Sequence, residues 1–332
     1  MQSQLIRPVR RPHRVSGSDL NLVFLGCGSI AQRHARRLRS LGGVRYGFAS
    51  RDGQRAAEFQ QRFGGSRCYG AYESALLDDG VDAVAITTPT AQHLPLTLAA
   101  LEAGKHVIVE KPAFLRSADV DLVEAAAAES GCRVLVAENY AYKPLRRVLV
   151  DVITSGEIGE VRYLAVNALK LQRPGGWRDD ESLSGGGALF EGGIHWIHLM
   201  ASVGLTIESV HGFRPDGADG IERSMLVVVQ YEQGAVGTLH HAWDTGSLFG
   251  GLRLSRIYGS RGSVAFESNG VFVAVRTRSP RVILPGLGDI GGYRAMFADF
   301  IGCLRENREA EMTLAFARRD LELVEAAYQS TP

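Results

Sequence analysis

Leu22-Val23-Phe24-Leu25-Gly26-Cys27-Gly28-Ser29-Ile30-Ala31 runs from an apolar strand through a Gly-x-Gly turn into the start of an amphipathic helix. The first glycine permits a tight turn, and the second lets backbone approach a pyrophosphate. Ala31 is small enough for helix and strand to pack closely. Backbone N–H groups at the helix start then face the phosphates. A G-x-G-x-x-A string alone also fits a glycine turn in some other α/β protein. Between the first strand and first helix of a β-α-β run, it specifies a dinucleotide-binding sheet.

The flanking sequence supplies that run. Apolar stretches at Leu22–Leu25, Val44–Ala49, Val84–Thr87, His106–Val109 and Arg133–Ala137 alternate with helical patterns. Helices are expected at Ile30–Leu41, Gly53–Arg62, Leu94–Ala103 and Ala118–Glu129; in the first, Ile30, His34, Leu38 and Leu41 share one face. Such alternation is the mark of a parallel sheet wrapped by helices.

Ligands of an open α/β sheet bind outside the carboxyl ends of its strands. Here those ends carry Gly26–Ser29, Ser50–Arg51, Thr88–Pro89, Glu110–Lys111–Pro112 and Glu138–Asn139. A ribose 2′-hydroxyl is usually met by a carboxylate, whereas Ser50 and Arg51 offer a hydroxyl and a cation suited to a 2′-phosphate. NADP is therefore preferred over NAD, while Asp52 keeps NAD open, and a solvated turn is the bland reading. Lys111 ends a buried strand, pinned by Pro112. Beside a cationic nicotinamide it would lose proton affinity and could hydrogen-bond a substrate oxygen. A rim lysine solvated at the sheet edge is the alternative.

After Tyr140 the texture changes. Val161–Lys170, Ser209–Phe213, Met225–Tyr231, Val236–Trp243, Arg253–Tyr258, Ser263–Phe266 and Val271–Arg276 have strand length and β-branched content, separated by Gly-containing connections. They predict the hairpins and crossings of one broad antiparallel or mixed sheet, closed by helices near Tyr293–Glu306 and Ala315–Gln329. The expected organisation is a flexible tail over 1–19, a dinucleotide-binding domain over 20–138, and a sheet-based α+β substrate domain over 139–332.

Gly185-Gly186-Gly187 leads into Ala188–Val203, a helical stretch whose only acid is Glu191 and which lacks Lys and Arg. At 3.6 residues per turn Glu191, His195 and His198 fall within roughly 60° of one another. A polar stripe on so apolar a helix is expected to face a pocket. Glu191, one turn before His195, could raise its proton affinity or orient it for general acid/base work. A satisfied core histidine and a metal site are the competing readings. With no further ligand cluster in the sequence, no metal is assigned. His198 is expected to cap the pocket or bond a backbone carbonyl.

The 332 residues suit two domains. With 37 basic and 36 acidic side chains and a net charge of +1, the chain has no basic field for nucleic acid. Cys27, Cys68, Cys132 and Cys303 are far apart and show no C-x-x-C spacing, which suits a reducing cytoplasm. No apolar run is long enough to span a bilayer. The basic leader Met1–Asp19 has no apolar core of a secretory signal.

The chain resembles the glucose–fructose oxidoreductase, inositol dehydrogenase and rhizopine-catabolism family (Gfo/Idh/MocA) from about Asn21 to its end. Carrying the likeness are G-C-G-S-I-A-Q-R-H ending at His34, T-P-T-A-Q-H ending at His93, A-G-K-H-V-I-V-E-K-P ending at Pro112, and G-G-G-A-L-F-E-G-G-I-H ending at His195. The resemblance implies a Rossmann domain and a C-terminal α+β domain on a large open, mostly antiparallel sheet often used for oligomerisation, with hydride transfer between a nicotinamide and a hydroxyl-bearing carbon, commonly of a sugar or cyclitol. Lys111 matches the family's lysine, which contacts the reacting oxygen and the cofactor, and His195 matches its usual acid/base. Glu191 and His198 stand where aspartates are usual.

The cofactor is thus expected on Gly26, Cys27, Gly28, Ser29, Ile30, Ser50, Arg51, Thr88, Pro89, His93, Glu110, Lys111 and Asn139. Lys111, His195 and Glu191 are the expected catalytic residues. Tyr140, Trp177, Arg178 and His198 are expected to join them around a carbohydrate-like substrate. A homodimer or homotetramer through the C-terminal sheet is the expected assembly, with no nucleic-acid or membrane partner. Two alternatives use the same fold: a catalytically silent cofactor-binding sensor or co-regulator, and an NAD-dependent glycosidase working by transient oxidation.

Overall fold

The computed structural model describes residues 19–173, 175–215, 220–247 and 251–331. The expected N-terminal tail, apart from Asp19, lies outside them. The chain divides into two compact units. One holds the residues up to Phe114, Ala118–Ala137 and Phe297–Leu314; the other holds Leu115–Ser117, Glu138–Met296 and the residues from Ala315 onward.

In the first unit β1 (Leu20–Leu25), β2 (Val44–Ala49), β3 (Cys68–Tyr69), β4 (Ala83–Ile86), β5 (His106–Glu110) and β6 (Val134–Ala137) form one sheet, ordered β3-β2-β1-β4-β5-β6. Every pairing is parallel. Between them run α1 (Ser29–Leu38), α2 (Gly53–Phe63), α3 (Tyr72–Leu77), α4 (His93–Glu102) and α5 (Asp119–Ser130). Strands covered on both faces must be apolar throughout, and all of β4 and β5 is buried. The register sets Ala49, Leu25, Ile86, Val109 and Val136 in one row, so the strands end level. The loops leaving the strands therefore share a common rim.

Two short elements, β3 and α3, carry too few residues to show a period and are absent from the sequence expectation. The domain boundary also differs. Phe297–Leu314, expected with the C-terminal domain, belongs to the first unit, where the Phe297 ring meets the buried His34 ring edge-on at 5.0 Å.

The second unit opens with α6 (Pro144–Thr154) and holds β7 (Val161–Leu169), α7 (Glu181–Ser184), α8 (Ile194–Met200), β8 (Ile207–Phe213), β9 (Ser224–Tyr231), β10 (Val236–Ala242), β11 (Leu254–Gly259), β12 (Ser263–Glu267), β13 (Val273–Arg276) and β14 (Arg281–Ile283). Then α9 (Tyr293–Glu306) leads into the first unit and α10 (Leu314–Gln329) closes the chain. The eight strands are ordered β14-β13-β12-β11-β7-β10-β9-β8. All neighbours are antiparallel except β7 and β10, which are parallel. Period-2 alternation gives the sheet one covered face: Leu164, Val166 and Ala168 are buried, while Tyr163 and Ala165 are exposed. Tyr258 of β11 pairs in register with Tyr163, and both rings are exposed.

Candidate active site

The glycine turn has the geometry a phosphate cradle requires. Gly26 adopts φ +112, and a side chain there would press on the Thr87 carbonyl at 3.0 Å. Gly28 is different: nothing stands within 4 Å of where its Cβ would be. It is the N-cap of α1, so no side chain at that position caps the first N–H groups of the helix. Cys27 contributes backbone only. Its buried thiol is pushed up to about 11, chiefly by burial, and its carbonyl accepts from Arg55 Nε at 2.9 Å.

After β2, Asp52 is the N-cap of α2, its Oδ1 accepting from Gln54 N at 3.0 Å and Arg55 N at 3.3 Å. The Ser50 hydroxyl accepts from Asp52 N at 3.2 Å. The carboxylate that could serve a ribose thus caps a helix, whereas two arginines stand exposed: Arg51 beside Tyr72, and Arg55 against the glycine turn. Arg55 is absent from the sequence expectation; its place in the first turn of α2 was the available signal.

Further along the rim, the Lys111–Pro112 peptide is cis and Lys111 is half-buried. Lys111 N donates to Glu110 Oε2 at 3.2 Å, while Glu110 Oε1 is paired with buried His34 Nε2. Burial pushes the Glu110 carboxyl up, but His34 first and Lys111 after it outweigh that, and it lies below the usual range. His93, 1 % exposed, lies between backbone carbonyls, with Nε2 2.9 Å from Thr88 O and Nδ1 2.9 Å from Pro112 O. It joins the ends of β4 and β5 from inside, so the structure gives it a framework role rather than a face toward ligand. Thr88 is buried, as is Glu110, while Pro89 is half-buried.

In the second unit His195 meets Glu138 rather than the expected Glu191. Both Glu138 oxygens lie 2.7 Å from His195 Nδ1. Glu138, 2 % exposed, also accepts from Tyr140 N at 2.8 Å. An acceptor at Nδ1 selects the tautomer that leaves Nε2 as the proton acceptor. The Tyr140 ring stacks on the His195 ring at 4.6 Å and 11°. Burial raises the Tyr140 hydroxyl well above its ordinary value, so it is a poor proton donor near neutrality. Asn139 is buried and donates Nδ2–H to Gly291 O at 2.6 Å.

The helix carrying His195 is not one regular helix over Ala188–Val203. Leu189–Gly193 forms a π-helical turn and α8 follows directly. The wider turn changes the spacing between Glu191 and His195, and such turns recur at functional sites. Glu191 instead receives Arg178 Nε at 2.9 Å, and the Arg178 guanidinium lies 4.5 Å from the Trp177 ring centre. His198, 2 % exposed, pairs through Nδ1 with Asp320 Oδ2 at 2.7 Å. It is therefore set in the interior with a carboxylate of α10, not at a pocket mouth.

Beneath the π turn lies buried Glu222. Its backbone carbonyl accepts from Ala188 N at 2.9 Å, and its Oε1 accepts from Leu189 N at 2.7 Å and Tyr328 OH at 2.8 Å. The Tyr328 hydroxyl in turn accepts from Phe190 N at 3.1 Å. The carboxylate occupies the place a side chain at Gly187 would need, which explains a glycine there. Among the described residues no group of three His, Cys, Asp or Glu side chains is placed to hold a metal ion, and no helix is long and apolar enough to cross a membrane.

These features agree with comparisons to known proteins. Residues 20–138 match the family model described as "Oxidoreductase family, NAD-binding Rossmann fold", and residues 147–265 match the GFO/IDH/MocA C-terminal domain. The chain is 35 % identical over 190 residues to dTDP-3,4-didehydro-2,6-dideoxy-alpha-D-glucose 3-reductase of Actinomadura kijaniata, covering 55 % of each. It is 29 % identical over 201 residues to D-xylose 1-dehydrogenase (NADP(+)) 2 of Haloferax volcanii, covering 59 % of this chain and 61 % of the relative. The chain thus spans little more than half the length of these curated relatives. Levoglucosan dehydrogenase, solved with NADH and levoglucosan, superposes with TM-score 0.84 at 21 % identity over 94 % of this chain and 97 % of its own, which shows the shared fold. With matches to both of its characteristic domains, the chain belongs to the GFO/IDH/MocA oxidoreductase family, whose N-terminal part is an NAD-binding Rossmann fold.

Proposed function

We propose that this protein is an NAD(P)-dependent dehydrogenase or reductase acting on a hydroxyl or ketone carbon of a sugar, cyclitol or related carbohydrate. The nicotinamide, when bound, supplies or takes up the hydride. The chain's own residues hold the cofactor and manage the proton. Gly26, Gly28 and the N–H groups opening α1 fit a pyrophosphate, since the space beside Gly28 is open and the helix start has no side-chain cap. Arg51 and Arg55, with Asp52 engaged as a helix cap, favour NADP over NAD. Lys111 hydrogen-bonds the reacting oxygen. In the oxidation direction His195 takes the hydroxyl proton on Nε2 and, as imidazolium, is stabilised by Glu138; in reduction it returns that proton. Tyr140, Trp177 and Arg178 are proposed substrate contacts, with Glu191 setting the position of Arg178.

The observation that carries this reading is the buried Glu138 carboxylate, which engages His195 Nδ1 with both oxygens. Lys111→Ala and His195→Ala are each expected to lower turnover by about a hundredfold or more while cofactor affinity stays within a few-fold. A screen of sugars, cyclitols and keto-sugars with NADP and NAD, followed at the nicotinamide absorbance band, is the assay. Turnover by both variants at the parental rate would refute it.

We further propose a homodimer or homotetramer through the C-terminal sheet, supported by exposed Tyr163, Leu254 and Tyr258 on its uncovered face. A cytoplasmic location fits four cysteines that are all free.

A further inference from the structure

Lys143 is the most buried ammonium near the proposed acid/base and is absent from the roles assigned above. It is 4 % exposed and follows Glu138 and Tyr140 on the same tight turn after β6. Its Nζ lies 4.2 Å from the centre of the Tyr140 ring, the ring that stacks on His195. Among the described residues it has no ion pair and no side-chain hydrogen bond. A buried cation that sits over a π face, with carboxylates near it but none in an ion pair with it, requires an explanation, because an aromatic quadrupole replaces little of its hydration.

We propose that Lys143 is a positioning residue that sets the proton affinity of His195, opposing Glu138 across the Tyr140 ring. Glu138 stabilises the imidazolium by direct contact, and the Lys143 ammonium, while protonated, disfavours it from the other side of the Tyr140 ring. The two together hold the imidazole poised between its forms, as a group that must both take and return a proton requires. Burial pushes the ammonium down to about 8, with Glu267 of β12 and then Glu138 pulling it up and Arg253 pushing it down further. The groups facing this cluster are thus Glu138, Glu267, Arg253, His195 and the rings of Tyr140, Trp196 and Tyr293.

The proposal rests on His195 being the acid/base, but its test does not need substrate. In histidine-labelled protein, the His195 resonance among the nine histidines is assigned by its loss in His195→Gln and followed against pH. Lys143→Met is expected to raise the His195 midpoint by about half a unit to one unit, whereas Lys143→Arg keeps it near the parental value. Equal midpoints in all three proteins, or equal shifts in both variants, would overturn the proposal, since a structural role predicts no dependence on charge. Should Lys143→Met fail to fold, the parental protein decides: the His195 titration must show a second inflection at the midpoint of the labelled Lys143, and a single inflection refutes the coupling. A shifted midpoint together with full turnover by His195→Ala would leave the electrostatics standing and remove the catalytic assignment.

Discussion

Glu138 lies 57 residues before His195 in sequence, yet both its carboxylate oxygens are 2.7 Å from the histidine's Nδ1. Removing the charge while keeping the shape tests what that contact does. Glu138→Gln is expected to lower turnover by about a hundredfold to ten-thousandfold, through loss of tautomer control and imidazolium stabilisation. Cofactor affinity should be little changed. A variant turning over within threefold of the parent would show that another group orients the histidine.

The two glycines of the first turn should fail in different ways. Gly26→Ala forces a side chain into a left-handed backbone against the Thr87 carbonyl and is expected to cost about 1–3 kcal/mol of stability. Gly28→Ala meets no protein atom and has an ordinary backbone, so its melting temperature should stay close to the parental one. Its methyl group would instead obstruct the pyrophosphate, and NADPH binding followed by fluorescence should weaken about tenfold or more. Equal losses of stability would contradict this division.

Arg51 and Arg55 can be separated by comparing the two dinucleotides. Arg51→Ala should weaken NADP by about ten- to a hundredfold and leave NAD nearly unaffected, the range expected for charge-assisted bonds to a phosphate. Arg55→Ala also releases the Cys27 carbonyl, so it should weaken both. Dissociation constants from calorimetry suffice. An unchanged NADP to NAD ratio in Arg51→Ala would remove that residue from the discrimination.

His106 links stability to pH. Burial pushes its imidazole down to about 4, and its Nδ1 accepts from Arg133 N at 3.0 Å, a bond only the unprotonated nitrogen can receive. A histidine with a depressed folded-state value binds its proton more readily when unfolded. This contribution is therefore present above about pH 6.5 and is lost as pH falls toward 4, by about 3 kcal/mol in all. Urea unfolding at pH 7, 5.5 and 4.5 should show a smaller decline for His106→Gln than for the parent. Parallel declines would place the acid sensitivity elsewhere.

The nucleotide-binding half was legible because its signals are local. Residues 22–31 contain strand, turn and helix start in one stretch, and the level strand ends follow from the parallel register. The residues proposed to handle the proton were only half legible. Lys111 and His195 stand out in their own segments, whereas Glu138 looked like one more polar residue at a strand end. Its partnership is long-range, and the π turn at Leu189–Gly193 invalidates the helical wheel that pointed to Glu191. The return of Phe297–Leu314 to the first unit was likewise invisible, because an amphipathic helix does not announce which core it will join.

Glu222 makes the start of the histidine-bearing segment a joint with three members. The π turn at Leu189–Gly193, the approach to β9 and Tyr328 of the last helix share one carboxylate and one hydroxyl, so none can be displaced without re-forming the others' bonds. A substitution at Tyr328, in the final helix of the chain, should consequently register at His195 as altered alignment, and distant changes in the last helix become a means of tuning the proposed site without touching Lys111 or His195.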